Sequence, residues 1–221
     1  MTFKNNYLHM KKTLAEFTST FFLVLVATGS VILDSVNGGK ITLAGISLMT
    51  GFVVSLMIIM LGKWSGAHMN PAVTLSLAFG GKFLRKDVLP YVLAQAAGAL
   101  TASFLLRQIF PHSPTLGETL PSISAYWAFT MEFILTFFLM IVILVGARKK
   151  IKYEPWIIGA YVALGIFIGG KYCGGSMNPI RSFAPAVMNS NTDLLWIYLT
   201  GPFAGAIAGV FTFNFYNKSE E

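Results

Sequence analysis

Charge is scarce in this chain: only 11% of its 221 residues are charged, against 55% apolar and 14% aromatic. A soluble domain carries about a quarter of its residues as Asp, Glu, Lys or Arg, so a water-soluble fold is excluded. Cysteine is rarer still, and the single Cys173 rules out an intramolecular disulfide and leaves no thiolate set for zinc. Of the three histidines, His9 and His112 fall in flanking or extramembrane segments and His68 just precedes an Asn-Pro pair, so no catalytic cluster can be assembled from them. No nucleotide-binding loop is present either. The absences together predict a membrane protein with no catalytic residue, no metal and no cofactor.

What is there is a set of six apolar runs, at residues 13–33, 41–62, 88–106, 126–147, 156–170 and 194–216. All but the fifth approach the roughly 20 residues that cross a bilayer as helix. The fifth is predicted to begin at Pro155 and to continue past Gly170. Because the first run is of spanning length and lacks a small-residue cleavage site, it is expected to stay as a span rather than be removed as a signal sequence.

A net charge of +7 invites a nucleic-acid reading, but the placement of the cations decides against it. Twelve of sixteen fall on one side of the alternating topology: Lys4, Lys11, Lys12, Lys63, Lys82, Arg85, Lys86, Arg148, Lys149, Lys150, Lys152 and Lys218. Lys40, Arg107 and Lys171 fall on the other, and Arg181 lies in a short segment between spans. The positive-inside rule puts both termini in the cytoplasm, and a bacterial plasma membrane is the expected setting. The Arg148 to Lys152 cluster then reads as a topology signal beside anionic lipid, with no nucleic-acid partner.

The two halves of the chain are copies. Residues 14–23 match residues 130–139 at an offset of 116, the Met-Asn-Pro triplets at 69–71 and 177–179 match at 108, and Tyr91, Ala97, Gly98 and Ala99 match Tyr198, Ala204, Gly205 and Ala206 at 107. Each copy has three spans and one short segment, giving repeats of about 13–107 and 126–216 in one domain, 1–221. Three is odd, so the second copy enters the membrane from the opposite face, as an inverted repeat. Gly98, Gly201, Gly205 and Gly209 are predicted to let helices approach closely. Glu16 and Glu132 are the carboxylates well inside spans, where each needs partners. A proton relay is one use for them. Their symmetric placement, with no embedded His or Lys in the spans, favours acceptors for the non-helical backbone of the short segments.

Each short segment contains Asn-Pro: Asn70-Pro71-Ala72 and Asn178-Pro179-Ile180. Asn is a favoured N-cap and Pro a favoured first helical residue, so each pair starts a half-helix of two to three turns. Entering from opposite faces, the two meet near the midplane with their positive dipole ends together. With its side-chain oxygen capping its own helix, each Asn is expected to direct its amide N–H groups toward a passing hydroxyl. Donors and positive potential are hostile to cations, hydronium included.

A single Asn-Pro says little, but two in register within an inverted hydrophobic repeat are specific. The chain resembles the major intrinsic protein family, the aquaporins and glycerol facilitators, over essentially its whole length. Residues 65–74 and 178–183 carry the likeness most strongly. The resemblance implies an all-α membrane fold of six tilted helices and two re-entrant half-helices, a pore in each subunit and a homotetramer. Ile180 departs from the alanine usual there, adding bulk that either narrows the pore or repacks its wall.

The same resemblance implies an outer selectivity filter, placed by ungapped comparison at Thr50, Ile166, Gly175 and Arg181. Arg181 would repel cations and donate to neutral solutes. Water-selective members usually carry an aromatic and a histidine at the first two places, whereas Thr50 is small and Ile166 apolar. A slip in register would substitute Met49 or Phe52 for Thr50. The set is similar to the wide filters of plant nodulin-like intrinsic proteins and their bacterial relatives, which implies passage of glycerol, urea, boric acid and arsenous acid with some water. A water-selective channel and a proton-coupled transporter using Glu16 and Glu132 are the alternatives. Cys173 falls near the outer mouth, as a mercurial target or a packing thiol.

Overall fold

Within a bilayer every peptide N–H and C=O needs a partner in its own segment, so long apolar runs free of breakers become helices. The computed structural model describes residues 2–218, with side chains from 7 to 217. The side chains of Lys4 and Lys218, and residues 1 and 219–221 of the 1–221 domain, lie outside what is described. Eight helices follow one another: α1 (Thr2–Val36), α2 (Thr42–Ser65), α3 (Pro71–Phe79), α4 (Arg85–Ile109), α5 (Ala125–Lys149), α6 (Glu154–Cys173), α7 (Pro179–Met188) and α8 (Leu195–Lys218). Six of them are long and apolar enough to span a membrane, and the described residues form no strand.

Each span ends beyond the apolar stretch read from sequence. The second and fourth end at Ser65 and Lys149 rather than at 62 and 147, because polar residues at a helix end sit in headgroups without breaking the backbone ladder. The fifth, α6, begins one residue before Pro155 and ends at Cys173, so its 20 residues reach across about 30 Å.

Helix ends repeat between the halves. α2 stops at Gly66 (φ 89°) and α6 at Gly174 (φ 88°), both left-handed. Met69 and Met177 share the same rare φ of 53° just before each Asn-Pro. The packing repeats as well: α1 lies on α4 as α5 lies on α8, and each half-helix, α3 or α7, packs against the last helix of the other half as well as of its own. Glycine sets the closeness of these contacts. A Cβ at Gly98 would overlap the carbonyl oxygen of Phe17, and a Cβ at Gly205 that of Phe133. The expectation of close packing at these small residues therefore has a physical cause in backbone-to-backbone contact.

Candidate functional site

α3 and α7 begin with the same cap. The Asn70 side-chain oxygen accepts the Ala72 N–H at 2.9 Å, and the Asn178 oxygen accepts the Ile180 N–H at 3.1 Å, with Pro71 and Pro179 at the first helical position. The amide hydrogens are less free than the sequence suggested. Asn70 Nδ2 donates to the Met177 carbonyl at 2.8 Å and Asn178 Nδ2 to the Met69 carbonyl at 2.7 Å. An amide has two hydrogens, so this cross-stitch leaves one on each Asn. The two half-helices thus meet tip to tip, joined through their own caps, with both positive ends at one place.

Behind the tips sit the two buried carboxylates. Glu16 accepts from the backbone N–H groups of His68 and Met69 at 2.9 and 3.0 Å and from Gln95 Nε2 at 2.7 Å. Glu132 accepts from the N–H groups of Ser176 and Met177 at 2.8 and 2.7 Å. These N–H groups have left the helical ladder and would otherwise be unpaired inside the membrane. Each such charge-assisted bond contributes about 1.5–3 kcal/mol.

A cavity of about 460 Å³ runs past the tips. Asn70 and Asn178 line its middle, and Thr50, Ile166, Gly175 and Arg181 line the end toward the start of α2. Four-residue spacing aligns one wall on α2, with Thr50, Val54, Ile58 and Gly62, and another on α6, with Glu154, Ile158, Val162 and Ile166. Thr50 spends its hydroxyl hydrogen on the Ile46 carbonyl at 2.9 Å. Met49 and Phe52, the alternatives from a slipped register, are 41% and 57% exposed and lie outside this lining. Gly175 takes φ 58°, and a Cβ there would press on the Ile166 backbone, so this corner has room only for hydrogen.

Arg181 is held from outside. Its Nη1 donates to the Gly117 carbonyl at 3.2 Å, in the loop between α4 and α5. That loop is tied down by Glu118, whose carboxylate accepts from the side-chain amides of Asn189 and Asn191, while Arg107 donates to Asn189 Oδ1. No motif in the sequence pointed to this clamp, since its members lie 71 to 82 residues apart.

Ile180 does not line the cavity. It is 7% exposed and packs with Val24, Ala99, Ala102 and Ala184, so its extra bulk fills the wall behind α7 while its backbone N–H satisfies the cap. Ala72 is fully buried on the equivalent face of α3, packed against Met140 and Ala206. Cys173 is buried in the core and does not line the cavity. At the opposite end of the cavity are Lys82 and Glu154, which the sequence reading did not single out as site residues.

The family model for Major intrinsic protein matches residues 4–213. Aquaporin NIP1-4 of Oryza sativa subsp. japonica is 36% identical over 214 residues, covering 95% of this chain and 78% of the relative. Nodulin-26 of Glycine max is 37% identical over 209 residues, covering 93% and 77%. The X-ray structure of the aquaglyceroporin from Plasmodium falciparum matches with a TM-score of 0.84 at 25% identity, over 95% of this chain and 96% of that one. The plant relatives lend no support to a bacterial plasma membrane; an integral membrane protein is what stands. Two capped half-helices joined inside six spans, in a chain matched almost end to end, belong to the major intrinsic protein family, and this chain is a member of it.

Proposed function

We propose that the protein is a passive channel for small uncharged solutes, among them glycerol, urea, boric acid and arsenous acid, with some water permeability and with protons and ions excluded. One observation carries this reading. Around Arg181 the cavity is lined by Thr50, Ile166 and Gly175, which bring one small hydroxyl, one aliphatic group and no side chain at all. A hydroxylated solute can take hydrogen bonds from Arg181 and from the one spare amide hydrogen on each of Asn70 and Asn178. A cation meets a guanidinium and then two helix N-termini, with no carboxylate facing it there.

The names of the relatives, aquaporin and nodulin, and that of the aquaglyceroporin structure support a channel rather than an enzyme. Both termini are read as cytoplasmic from the basic side, with Lys82 and Glu154 at the cytoplasmic mouth. Each channel unit comprises the repeats 13–107 and 126–216. A homotetramer would cover part of the apolar surface on α2 and α6, where Leu48, Phe52, Leu164 and Phe167 are more than half exposed.

Stopped-flow light scattering of proteoliposomes tests the proposal. Boric acid and glycerol gradients are expected to relax faster than in empty vesicles, with no dependence on a proton gradient. Solute relaxation equal to that of empty vesicles, with fast water exchange, would assign the chain to the water-selective class instead.

A further inference from the structure

The outer filter has a counterpart across the cavity that no sequence motif marks. Three sets of contacts relate the halves by a two-fold operation. Asn70 and Asn178 exchange amide bonds with the opposite loops, and Glu16 and Glu132 take equivalent loop N–H groups. The third set is where α2 crosses α6. A Cβ at Gly51 would overlap the Gly159 carbonyl oxygen and Ala163, and a Cβ at Gly159 would overlap the Gly51 carbonyl oxygen and Ser55. Gly51 and Gly159 are 108 residues apart, the offset of the two Met-Asn-Pro triplets.

Applied to the filter at that offset, the operation carries Thr50 to Ile158, Ile166 to Ile58, Gly175 to Ala67 and Arg181 to Val73. All four images line the same cavity as their originals. The α2–α6 crossing centres between Gly51 and Ser55 on one helix and Gly159 and Ala163 on the other. At 1.5 Å per residue, Thr50 and Ile166 lie about 5–8 Å from it toward the outside, and Ile158 and Ile58 as far toward the cytoplasm. Geometry repeats between the rings while chemistry does not. The outer ring holds a guanidinium and a hydroxyl; the inner ring presents only aliphatic side chains.

We propose that Ile58, Ala67, Val73 and Ile158 form a second selectivity ring, on the cytoplasmic side of the asparagines, that acts against water and so sets the ratio of solute to water passage. This rests on the channel reading above. A water molecule there receives no hydrogen bond from the ring's side chains, which favours dewetting of a narrow passage. A solute with a carbon or metalloid skeleton still gains dispersion contact with the aliphatic wall while its hydroxyls bridge to water on either side.

Two substitutions test this, Val73→Thr, which adds one hydroxyl at nearly constant shape, and Ile158→Thr, which adds one while shortening the side chain by a methyl group, with Val53→Thr as the control. Val53 is buried in one core with Ile158 but does not line the cavity. In proteoliposomes, with folding checked by gel filtration, each ring variant is expected to raise water permeability roughly fivefold, the worth of one hydrogen bond. Glycerol flux should stay within about twofold, because the outer filter is untouched. V53T should leave the ratio at its wild-type value. If Ile158→Thr does not fold, the isosteric V73T decides alone. An unchanged water permeability in a folded V73T overturns the ring, as does an equal rise in V53T. Absence of any solute flux in the wild type would instead overturn the channel proposal, and the water readout would still judge the ring.

Discussion

Asn70 and Met177 are joined across the two halves, the Asn70 side-chain amide donating to the Met177 carbonyl at 2.8 Å, and the Asn178–Met69 pair repeats the bond at 2.7 Å. The motif asparagines are therefore structural fasteners, in addition to the donor role proposed for them. Replacing Asn70 by Asp keeps the cap acceptor for Ala72 but turns the Nδ2 donor into an oxygen facing the Met177 carbonyl. A buried carbonyl left without its partner costs about 1–3 kcal/mol. Asn70→Asp is expected to lower thermal stability in detergent by that amount and to admit cations, since a negative charge then sits at the meeting point of the dipoles. Melting followed by tryptophan fluorescence, and ionic conductance in planar bilayers, measure the two effects. An N70D protein with wild-type melting would show that the cross-stitch contributes nothing.

Glu132 separates a supporting carboxylate from a proton shuttle. Its two oxygens each hold a loop N–H, from Ser176 and Met177. Gln at this position keeps one acceptor and turns an NH₂ group toward the other N–H. Glu132→Gln is expected to cost about 1–3 kcal/mol of stability. Its solute flux should fall in proportion to folded protein, without any change in response to an imposed proton gradient. A wild-type flux driven by that gradient, and abolished in E132Q, would favour the coupled transporter.

The fold was legible because its signals are local or repeated. Six runs without charge, Asn-Pro at two equivalent places, and Glu16 with Glu132 at equivalent depths can all be found by sliding the chain on itself. The apolar wall was not legible: Val54, Ile58, Ile158 and Val162 look the same whether they face a pore, a neighbour or lipid. Only the four-residue ladder shared by α2 and α6 at the 108 offset carries that information, and it needs the structure to say which face is the lining. The Arg107–Asn189–Glu118 clamp was invisible for a different reason, as its polar residues lie at helix ends and in a loop, where such side chains are common. Ile180 shows the reverse case, in which a conspicuous departure in sequence points its side chain away from the cavity.

Gly159 permits the α2–α6 crossing on which the register of both cavity walls depends. Its Cα faces the Gly51 carbonyl and Ser55 Oγ, and a methyl group would overlap both. Backbone of a packed helix cannot give way as a side chain does, so Gly159→Ala is expected to cost at least the 1–3 kcal/mol usual for overpacking. Because separation of the helices shifts Thr50 relative to Ile166, solute flux per folded molecule should change as well. Gly81 supplies the comparison: it has φ 72° and nothing within 4 Å of a built Cβ. Gly81→Ala should lose only the roughly 1–2 kcal/mol of a left-handed alanine and keep wild-type flux. Wild-type flux per folded molecule in G159A, with a loss in chemical denaturation no larger than that of G81A, would mean that the crossing tolerates a methyl group.

Glu118 gives the outer loop a measurable pH response. Burial pushes its carboxyl above the ordinary carboxylate range, and the amides of Asn189 and Asn191 with the charge of Arg107 offset part of that rise. A carboxyl raised on folding holds its proton more tightly in the folded chain than in the unfolded one, so stability rises as pH falls through the interval between the two midpoints. The increment is complete below the unfolded value and is lost as the pH climbs through the folded one. Protonation also weakens Glu118 as an acceptor for the two asparagines, which loosens the loop carrying Gly117 and with it the hold on Arg181. Glu118→Gln removes the titration. Between pH 7 and about pH 4, wild-type melting temperature is expected to gain on that of E118Q, while wild-type solute permeability changes over the same interval and that of the variant stays flat. Parallel pH profiles for the two proteins, in both melting and flux, would show that the clamp around Asn189 keeps Glu118 ionised throughout and that Arg181 does not depend on it.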